Sequence, residues 1–300
     1  MKVLLIAAGR RVSLAQRFIK HGFDVYSYET ERECPITQHA TIIEGKRWAD
    51  PNVRRHILDT IMEIQPDLVL PMSDHATPIL SSIVYKGIVT GSGRTNALCL
   101  DKKKFEQALQ NHDYYPNVEK DKPVILKPIQ GANSKGLHRF SYEDYLKYKD
   151  EYKGTHVAQR CIEGFEISVD AYFNKFSKMI DSVPRKRVEV QGGEVSRSTT
   201  LPRNAYGVSE LTKQVGERFG IVGPACAQYI VDNNKPYIME INARFGGGVI
   251  LSLEAGFDQI KLLKEEWVDG KLCLPEQHDW KSNLSMTRYF QEYFYGDDNE

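Results

Sequence analysis

The opening of the chain constrains its fold more than any other stretch. Val3–Ala8 is an apolar run of strand length. Val12–Lys20 follows with Val12, Leu14, Ala15, Phe18 and Ile19 along a helical period, Gly22 stops it, and Phe23–Tyr28 returns as a second strand. A strand, a helix and a strand within so few residues close as a right-handed parallel crossover. The pattern resumes with a helix over Val53–Ile64, a strand at Asp67–Leu70, a helix near Thr77–Tyr85 and a strand at Gly87–Thr90. It predicts a parallel sheet with crossover helices up to about Gly93.

This Rossmann-like layer carries an unusual first turn, Ala7-Ala8-Gly9-Arg10-Arg11-Val12-Ser13, which lacks the glycines that let a dinucleotide pyrophosphate approach the backbone. A nicotinamide or flavin cofactor is disfavoured. Arg10 and Arg11 at a strand-to-helix turn suit an anionic substrate, and equally suit a solvated surface. The apolar N-terminal run ends at Gly9-Arg10-Arg11, too short for a signal peptide or a membrane span.

With 300 residues and 41% hydrophobic content, the chain has enough apolar material for one large or two to three smaller folded units. Forty basic residues balance forty acidic ones. There is no global field to draw in nucleic acid or an anionic membrane, and any charge-based function is local. Cys34, Cys99, Cys161, Cys226 and Cys273 are odd in number and widely spaced, which fits reduced thiols in a cytoplasm better than a disulfide framework or a zinc site.

Beyond Gly93 the texture becomes strand-rich, as in an α+β unit. Asp101–Gln110 reads as a helix, Val124–Lys127 as a strand, Gly131–Gly136 as a loop and Leu137–Phe140 as a strand, with Ser141 and Asp144 capping the next helix. Strands at Val157–Cys161, Glu166–Phe173 and Lys178–Val183, a turn at Gly192-Gly193, a helix near Ser209–Phe219 and a strand pair over Cys226–Asn242 complete the reading. The aromatic-rich Met286–Tyr295 is expected to pack as a closing strand before an acidic tail, Gly296–Glu300.

Chemistry concentrates in two places. Along Tyr237–Asn242, Glu240 and Asn242 share one face of a strand while Met239 and Ile241 take the other, and Arg244 stands just past its end. Side-by-side oxygen ligands suit a hard cation such as Mg²⁺, and a nearby guanidinium suits phosphate. A three-residue loop, Asn233-Asn234-Lys235, would set Gln228 opposite Glu240. The same alternation also describes a sheet with one wet face. The second place is Val124–Gly136, where an apolar strand delivers Lys127 to a loop bounded by Gly131 and Gly136 and holding Ser134. Such a loop can offer backbone N–H groups to phosphate, although many glycine loops are plain turns, and it is not a Walker A loop.

These features, in this order, resemble the ATP-grasp superfamily over nearly the whole chain, and within it a single synthetase unit of the carbamoyl-phosphate synthase large subunit. The matching residues are Asp101-Lys102, Lys127, Gly131–Gly136, Val157–Glu166, and Gln228 with Glu240-Ile241-Asn242-Ala243-Arg244. The resemblance implies a pre-ATP-grasp Rossmann-like domain at residues 1–93, a small lobe with a linker helix at 94–160, and a large lobe with a C-terminal segment at 161–300. It implies that Lys102 and Lys127 contact ATP phosphates under the Ser134 loop. It further implies that Gln159, Arg160 and Ile162 border the adenine, that Glu166 receives the ribose, and that Gln228, Glu240 and Asn242 hold Mg²⁺, with two ions and Mn²⁺ as an alternative metal. Arg244 would stabilise the transferring phosphoryl group. Many relatives carry a carboxylate at the position of Gln228, so the site here has less negative charge, and weaker or more Mg²⁺-dependent binding is expected. Asp74, at the C-terminal end of a parallel strand, and Arg185 and Arg187, in a basic run that is otherwise a solvated face, are candidate substrate contacts.

The reaction implied is ATP-dependent ligation of a small-molecule carboxylate to an amine through an acylphosphate, releasing ADP and phosphate. No G-x-S-x-G or Cys–His pair offers a covalent nucleophile. The other readings are a non-catalytic ATP-binding or regulatory protein, which Gln228 favours, and a carbamoyl-phosphate-synthase-like subunit, which the single unit and missing glutaminase signature disfavour. Expected partners are small molecules, not nucleic acid or membrane, with a homodimer as the state relatives often adopt.

Overall fold

In β1 (Lys2–Ile6) the residues Val3, Leu4, Leu5 and Ile6 are all fully buried, because both faces of its sheet are covered. The computed structural model describes residues 1–131 and 136–294. β1 leads into α1 (Val12–Lys20), β2 (Asp24–Glu29) and β3 (Thr41–Glu44), then α2 (Val53–Ile64), β4 (Leu68–Pro71) and α3 (Ala76–Ser81). The strands pair in parallel in the order β3-β2-β1-β4. Leu4 and Ile6 pack on Ile57 and Ile61 of α2 and Leu80 of α3. Val3 and Leu5 pack on Leu14 and Phe18 of α1, and on Phe245, Val249, Leu253 and Phe257 from far along the chain. The first sheet therefore shares one core with the chain's C-terminal third.

The expected strand at Gly87–Thr90 is reduced to one parallel bridge between Val69 and Ile88. The chain turns away because Ser92 caps α4 (Gly93–Leu100), accepting from the Thr95 N–H. Asp101 then ends α4 and caps α5 (Lys102–Leu109), accepting from Lys103 and Lys104. α5 is the helix expected from Asp101 to Gln110, and α4, joined to it at Asp101, is an additional one.

A three-stranded antiparallel sheet follows, built of β5 (Val124–Pro128), β6 (His138–Phe140) and β7 (His156–Arg160) in the order β6-β5-β7. Between β6 and β7 lies α6 (Tyr142–Tyr148), opened by Ser141, whose Oγ accepts from the Asp144 N–H at 3.1 Å. The remaining strands are β8 (Phe165–Phe173), β9 (Met179–Gln191), β10 (Glu194–Thr200), β11 (Gly223–Asp232), β12 (Lys235–Asn242) and β13 (Ser285–Thr287). They form a six-stranded antiparallel sheet, β12-β11-β8-β9-β10-β13. α7 (Val208–Phe219) covers one face through Val208, Val215 and Phe219, which meet Ile167, Val169 and Phe173. α8 (Val249–Ala255) and α9 (Gln259–Leu263) supply the helical side of the core shared with the first sheet.

β9 runs past the expected Val183 and through the basic run, turning at Gly192 and Gly193, both of positive φ. The closing strand is shorter than expected. Only Ser285–Thr287 pairs, with β10, while Tyr289, Phe290 and Phe294 are 83%, 92% and 89% exposed, so no core forms around them. Tyr295 and the acidic tail lie outside the described residues. All five cysteines are unpaired, and among the described residues no helix is long and apolar enough to cross a membrane.

Candidate active site

The β11–β12 hairpin turns on two residues, not the expected three. Asn233 and Asn234 both have positive φ, 47° and 64°, the geometry of a tight two-residue turn, and Asp232 pairs with Lys235. That register alone would set Gln228 against Met239. A β-bulge intervenes: Tyr229 pairs with Ile238 but Gln228 with Glu240, leaving Met239 as the extra residue. The expected Gln228–Glu240 pair therefore forms by a different route. The bulge also corrects the expected facing. Ile238 and Ile241 are both fully buried in the core beside α7, so Met239 and Glu240, both half-buried, open together onto the cleft.

Glu240 accepts a hydrogen bond from Asn242 Nδ2 at 3.0 Å, which aligns the two side chains along the strand. Across the cleft, β5 brings Lys127 Nζ to 3.7 Å from Met239 Sδ. Among the described residues no carboxylate lies within ion-pair distance of Lys127. Burial pushes its ammonium below the usual lysine range; Glu240 opposes this and Lys102 adds to it. Lys102 is half-buried, unlike exposed Lys103 and Lys104, and donates to the Gly131 carbonyl at 2.9 Å. Gly131 and Gly136 have φ of 153° and 70°, conformations that favour glycine. Ser134 lies outside the described residues.

The β7 segment is held from behind. Gln159 is buried and donates to Tyr115 Oη at 2.8 Å, leaving Oε1 buried without a partner. Arg160 pairs with Glu119 at 2.5 Å and lies over the Tyr237 ring, 4.8 Å from its centroid. Ile162 is half-buried after the strand. Glu166 is exposed and lies 2.8 Å from Arg187 Nε, a close charge contact without hydrogen-bond alignment, since that N–H has no acceptor in line. The basic run is thus not a uniformly solvated face. Arg185 is 1% exposed and grips Asp170 at 2.7 and 3.1 Å, with Ser252 donating to the same carboxylate. The substrate contact expected of Arg185 has no open surface through which to be made.

Asp74 and Arg244, 170 residues apart, meet in a bidentate pair at 2.8 and 2.6 Å, and Arg244 Nη1 donates to Phe245 O. Burial pulls the Arg244 guanidinium down, but Asp74, with Cys226 and Glu240 adding to it, lifts it above its ordinary value. The pair joins the C-terminal edge of the first sheet to the end of β12. Arg11 reaches the same place, donating to Gly246 O at 3.0 Å and Met72 O at 3.4 Å, while Arg10 is exposed. Arg288 and Glu194 complete the surround, with Arg288 donating to Gly247 O and lying 3.4 Å from Glu194. Sequence reading passed over Arg288 and Glu194, since each is an ordinary polar residue on a strand or just beyond one.

The first βα turn is filled by the protein itself. Glu29, at the end of β2, accepts from Ala8 N at 2.6 Å and Ser27 Oγ at 2.5 Å. Burial, offset by these bonds and one from Gly9, raises its carboxyl above the usual range. A carboxylate in the turn where a pyrophosphate would lie adds a physical reason against a dinucleotide there.

The residues around Lys127, Glu240, Asn242 and Gln228 fit a metal–triphosphate group. A half-buried ammonium with no carboxylate in ion-pair range among the described residues shares the cleft with one carboxylate and two carboxamides. The described residues hold no cluster of three His, Cys, Asp or Glu, but Mg²⁺ takes few protein ligands when phosphates and water supply the rest.

A family profile described as an ATP-grasp domain matches residues 99–248. The chain belongs to the ATP-grasp family. No curated protein matches it in sequence. Among solved structures it is similar to biotin carboxylase from Campylobacter jejuni complexed with βγ-ATP, at 18% identity and a TM-score of 0.72, covering 94% of this chain and 74% of that one. It is similar to the biotin carboxylase domain dimer of 2-oxoglutarate carboxylase from Hydrogenobacter thermophilus, complexed with MgADP, ADP and bicarbonate, at 16% identity, a TM-score of 0.71 and 95% and 73% coverage. An L-amino acid ligase from Bacillus licheniformis gives 16% identity, a TM-score of 0.65 and 89% and 73% coverage. These likenesses establish the fold, a Rossmann-like layer followed by a two-lobed ATP-grasp unit.

Proposed function

We propose that the protein is an ATP-dependent carboxylate–amine ligase acting on a small-molecule acid. The observation that carries the reading is the convergence of Lys127, Glu240, Asn242 and Gln228 on one cleft, with Arg244 at its end. The L-amino acid ligase and the carboxylases of this fold support the reaction class. We take the division at residues 1–93, 94–160 and 161–300 as the working domain scheme.

In this reading Lys102 and Lys127 hold the phosphates, Gln159 to Ile162 border the adenine and Glu166 receives the ribose. Glu240, Asn242 and Gln228 hold Mg²⁺, which draws charge off the phosphates when bound. Arg160, committed to Glu119 and Tyr237, contributes through its backbone and by bracing β7 against β12. Arg244 faces the transferring phosphoryl group with Asp74 fixing its plane, and Arg185 braces β9 against β8 and α8. The acid's carboxylate oxygen bonds to the γ-phosphorus as the bond to the ADP oxygen breaks. The amine nitrogen then bonds to the acyl carbon, loses a proton and releases phosphate. Catalysis rests on position and electrostatics, with the lobes keeping water from the acylphosphate.

Incubation with ATP, Mg²⁺ and paired libraries of acids and amines, following phosphate release, tests the reading. Release that requires both an acid and an amine is expected. ATP binding without release above background would favour a non-catalytic ATP-binding protein, the reading to which Gln228 lends support. Carbamoyl phosphate formation from bicarbonate and ammonia would instead point to a carbamoyl-phosphate-synthase-like activity.

A further inference from the structure

We infer that Arg11 receives a carboxylate that the substrate carries through the reaction unchanged, so that the ligase takes a dicarboxylic acid or an amino acid. The inference rests on the ligase reading and names the chemistry of its unassigned substrate end.

Four guanidinium groups surround the loop after β12, and three are matched by a carboxylate. Arg244 is met by Asp74, Arg185 by Asp170 and Arg288, at longer range, by Glu194. Among the described residues Arg11 has no carboxylate within 4.0 Å; its acceptors are the carbonyls of Gly246 and Met72, the second at a long 3.4 Å. The charges that face it are Arg244, Glu194, Arg288 and Asp74, two of each sign, which leaves the positive charge of Arg11 uncompensated. Burial, then Arg244 and Arg288, push its guanidinium down to about 10, against the pull of Glu194 and Asp74. A charge so placed is costly unless something pairs with it. Arg11 as a residue is half-buried, not sealed in the core.

Its position fits the reaction. Along the loop from Asn242, the chain meets Arg244 first and the guanidinium of Arg11 two residues later at Gly246. A substrate with its reacting carboxylate near Arg244 extends naturally toward Arg11. The Gly246-Gly247-Gly248 loop adds no side chain of its own, and a Cβ on Gly246, Gly247 or Gly248 would meet Cys226 and Asp170, Glu194 or the Arg185 guanidinium respectively. One unmatched positive charge calls for a single negative one, and a planar guanidinium fork matches a carboxylate. A phosphate dianion would need a second cation.

The competing account is a purely structural Arg11 that ties the first turn to the Gly246 carbonyl. Calorimetric titration of the protein loaded with Mg²⁺ and AMP-PNP separates the two. The probes are malonate, succinate and glutarate in one arm, aspartate and glutamate in a second, and inorganic phosphate in a third. At least one carboxylate probe is expected to bind. Arg11→Gln is expected to weaken it by at least ~10-fold, the scale of a lost charge-assisted pair, while AMP-PNP affinity stays unchanged. Arg11→Lys, which keeps the charge but loses the fork, should fall between and serves if the glutamine variant does not fold. Binding of no carboxylate probe, equal binding to Arg11→Gln, or preference for phosphate overturns the inference. Turnover is not needed for this readout, so a protein that binds glutarate through Arg11 yet releases no phosphate in any library refutes the ligase reading alone.

Discussion

Lys127 shows how one side chain can be costly to the folded chain and still be useful. Its ammonium is half-buried against Met239 with no anionic partner among the described residues, and its folded pKa lies below the usual 10.5. For a lysine with a lowered folded pKa, the penalty is fully present below that pKa and fades as pH rises from it towards the unfolded value. Triphosphate binding favours the charged form, so ATP affinity should fall as pH rises through the Lys127 pKa, beginning below pH 10.5. Fluorescence titration of Mg²⁺–ATP over a range of about pH 7 to 10 checks this; affinity that is flat with pH in the wild type and equally flat in Lys127→Met would sink it. Lys127→Met should also raise the stability of the ligand-free protein by order of 1 kcal/mol and weaken ATP binding by about 10–100-fold. Glu240→Ala makes a separate test of the metal assignment. Among the described residues its side chain makes one hydrogen bond, to Asn242, so the protein should stay folded, while Mg²⁺-dependent turnover drops by at least the ~10–100-fold that even a supporting group costs a metal site. Unchanged turnover would remove Glu240 from the site.

At the scale of elements, the best-read pieces are those whose residues state their own partners. The helix Val53–Ile64 was legible to the residue, because Val53, Ile57, Ile61 and Ile64 form one stripe. α4 was not, since Ala97, Leu98, Cys99 and Leu100 sit in a row and give no stripe. β3 was missed because a four-residue edge strand, with Thr41 and Glu44 exposed and Ile42 and Ile43 half-buried, carries little signal. The β12 bulge was equally hidden: nothing in Tyr-Ile-Met-Glu-Ile-Asn announces an extra residue until core packing places Ile238 and Ile241 inward together. Helix propensity alone also misreads Gly216 in α7. Replacing it with alanine should gain about 1 kcal/mol by propensity. The new Cβ, however, would fall within the Phe173 ring, and β8 cannot shift without disturbing both of its neighbours. Overpacking typically costs about 1–3 kcal/mol, so Gly216→Ala should be net destabilising, seen as a lower urea midpoint with unchanged m-value. A rise in the midpoint would mean that the sheet yields more readily than its packing implies.

Across the whole molecule, the contacts that matter most were the least legible. Lys127, Glu240 and Asn242 could be picked out because each sits in a short local pattern. Asp74 and Arg244 were singled out separately, but their pairing could not be seen, because it depends on a first sheet and a β12 strand that share one core. That core makes the site a product of both ends of the chain, and the pair can be tested as a coupling. Asp74→Ala leaves Arg244 half-enclosed and uncompensated, which for a fully buried pair costs about 3–5 kcal/mol. Asp74 is 30% exposed, so solvent screens the loss and about 1–2 kcal/mol is the better expectation. Arg244→Ala should cost a comparable amount, and the double variant little more than either, a coupling of about 1 kcal/mol in a double-mutant cycle by urea denaturation. The functional consequence differs between the two partners. Arg244→Ala removes the group proposed to face the phosphoryl transfer and should abolish turnover, whereas Asp74→Asn keeps a hydrogen-bond acceptor for one guanidinium N–H and should lower kcat with ATP affinity intact. Additive stabilities would mean that the pair adds no coupling between the sheets. An Asp74→Asn variant that lost ATP binding would place Asp74 at the nucleotide and not behind Arg244.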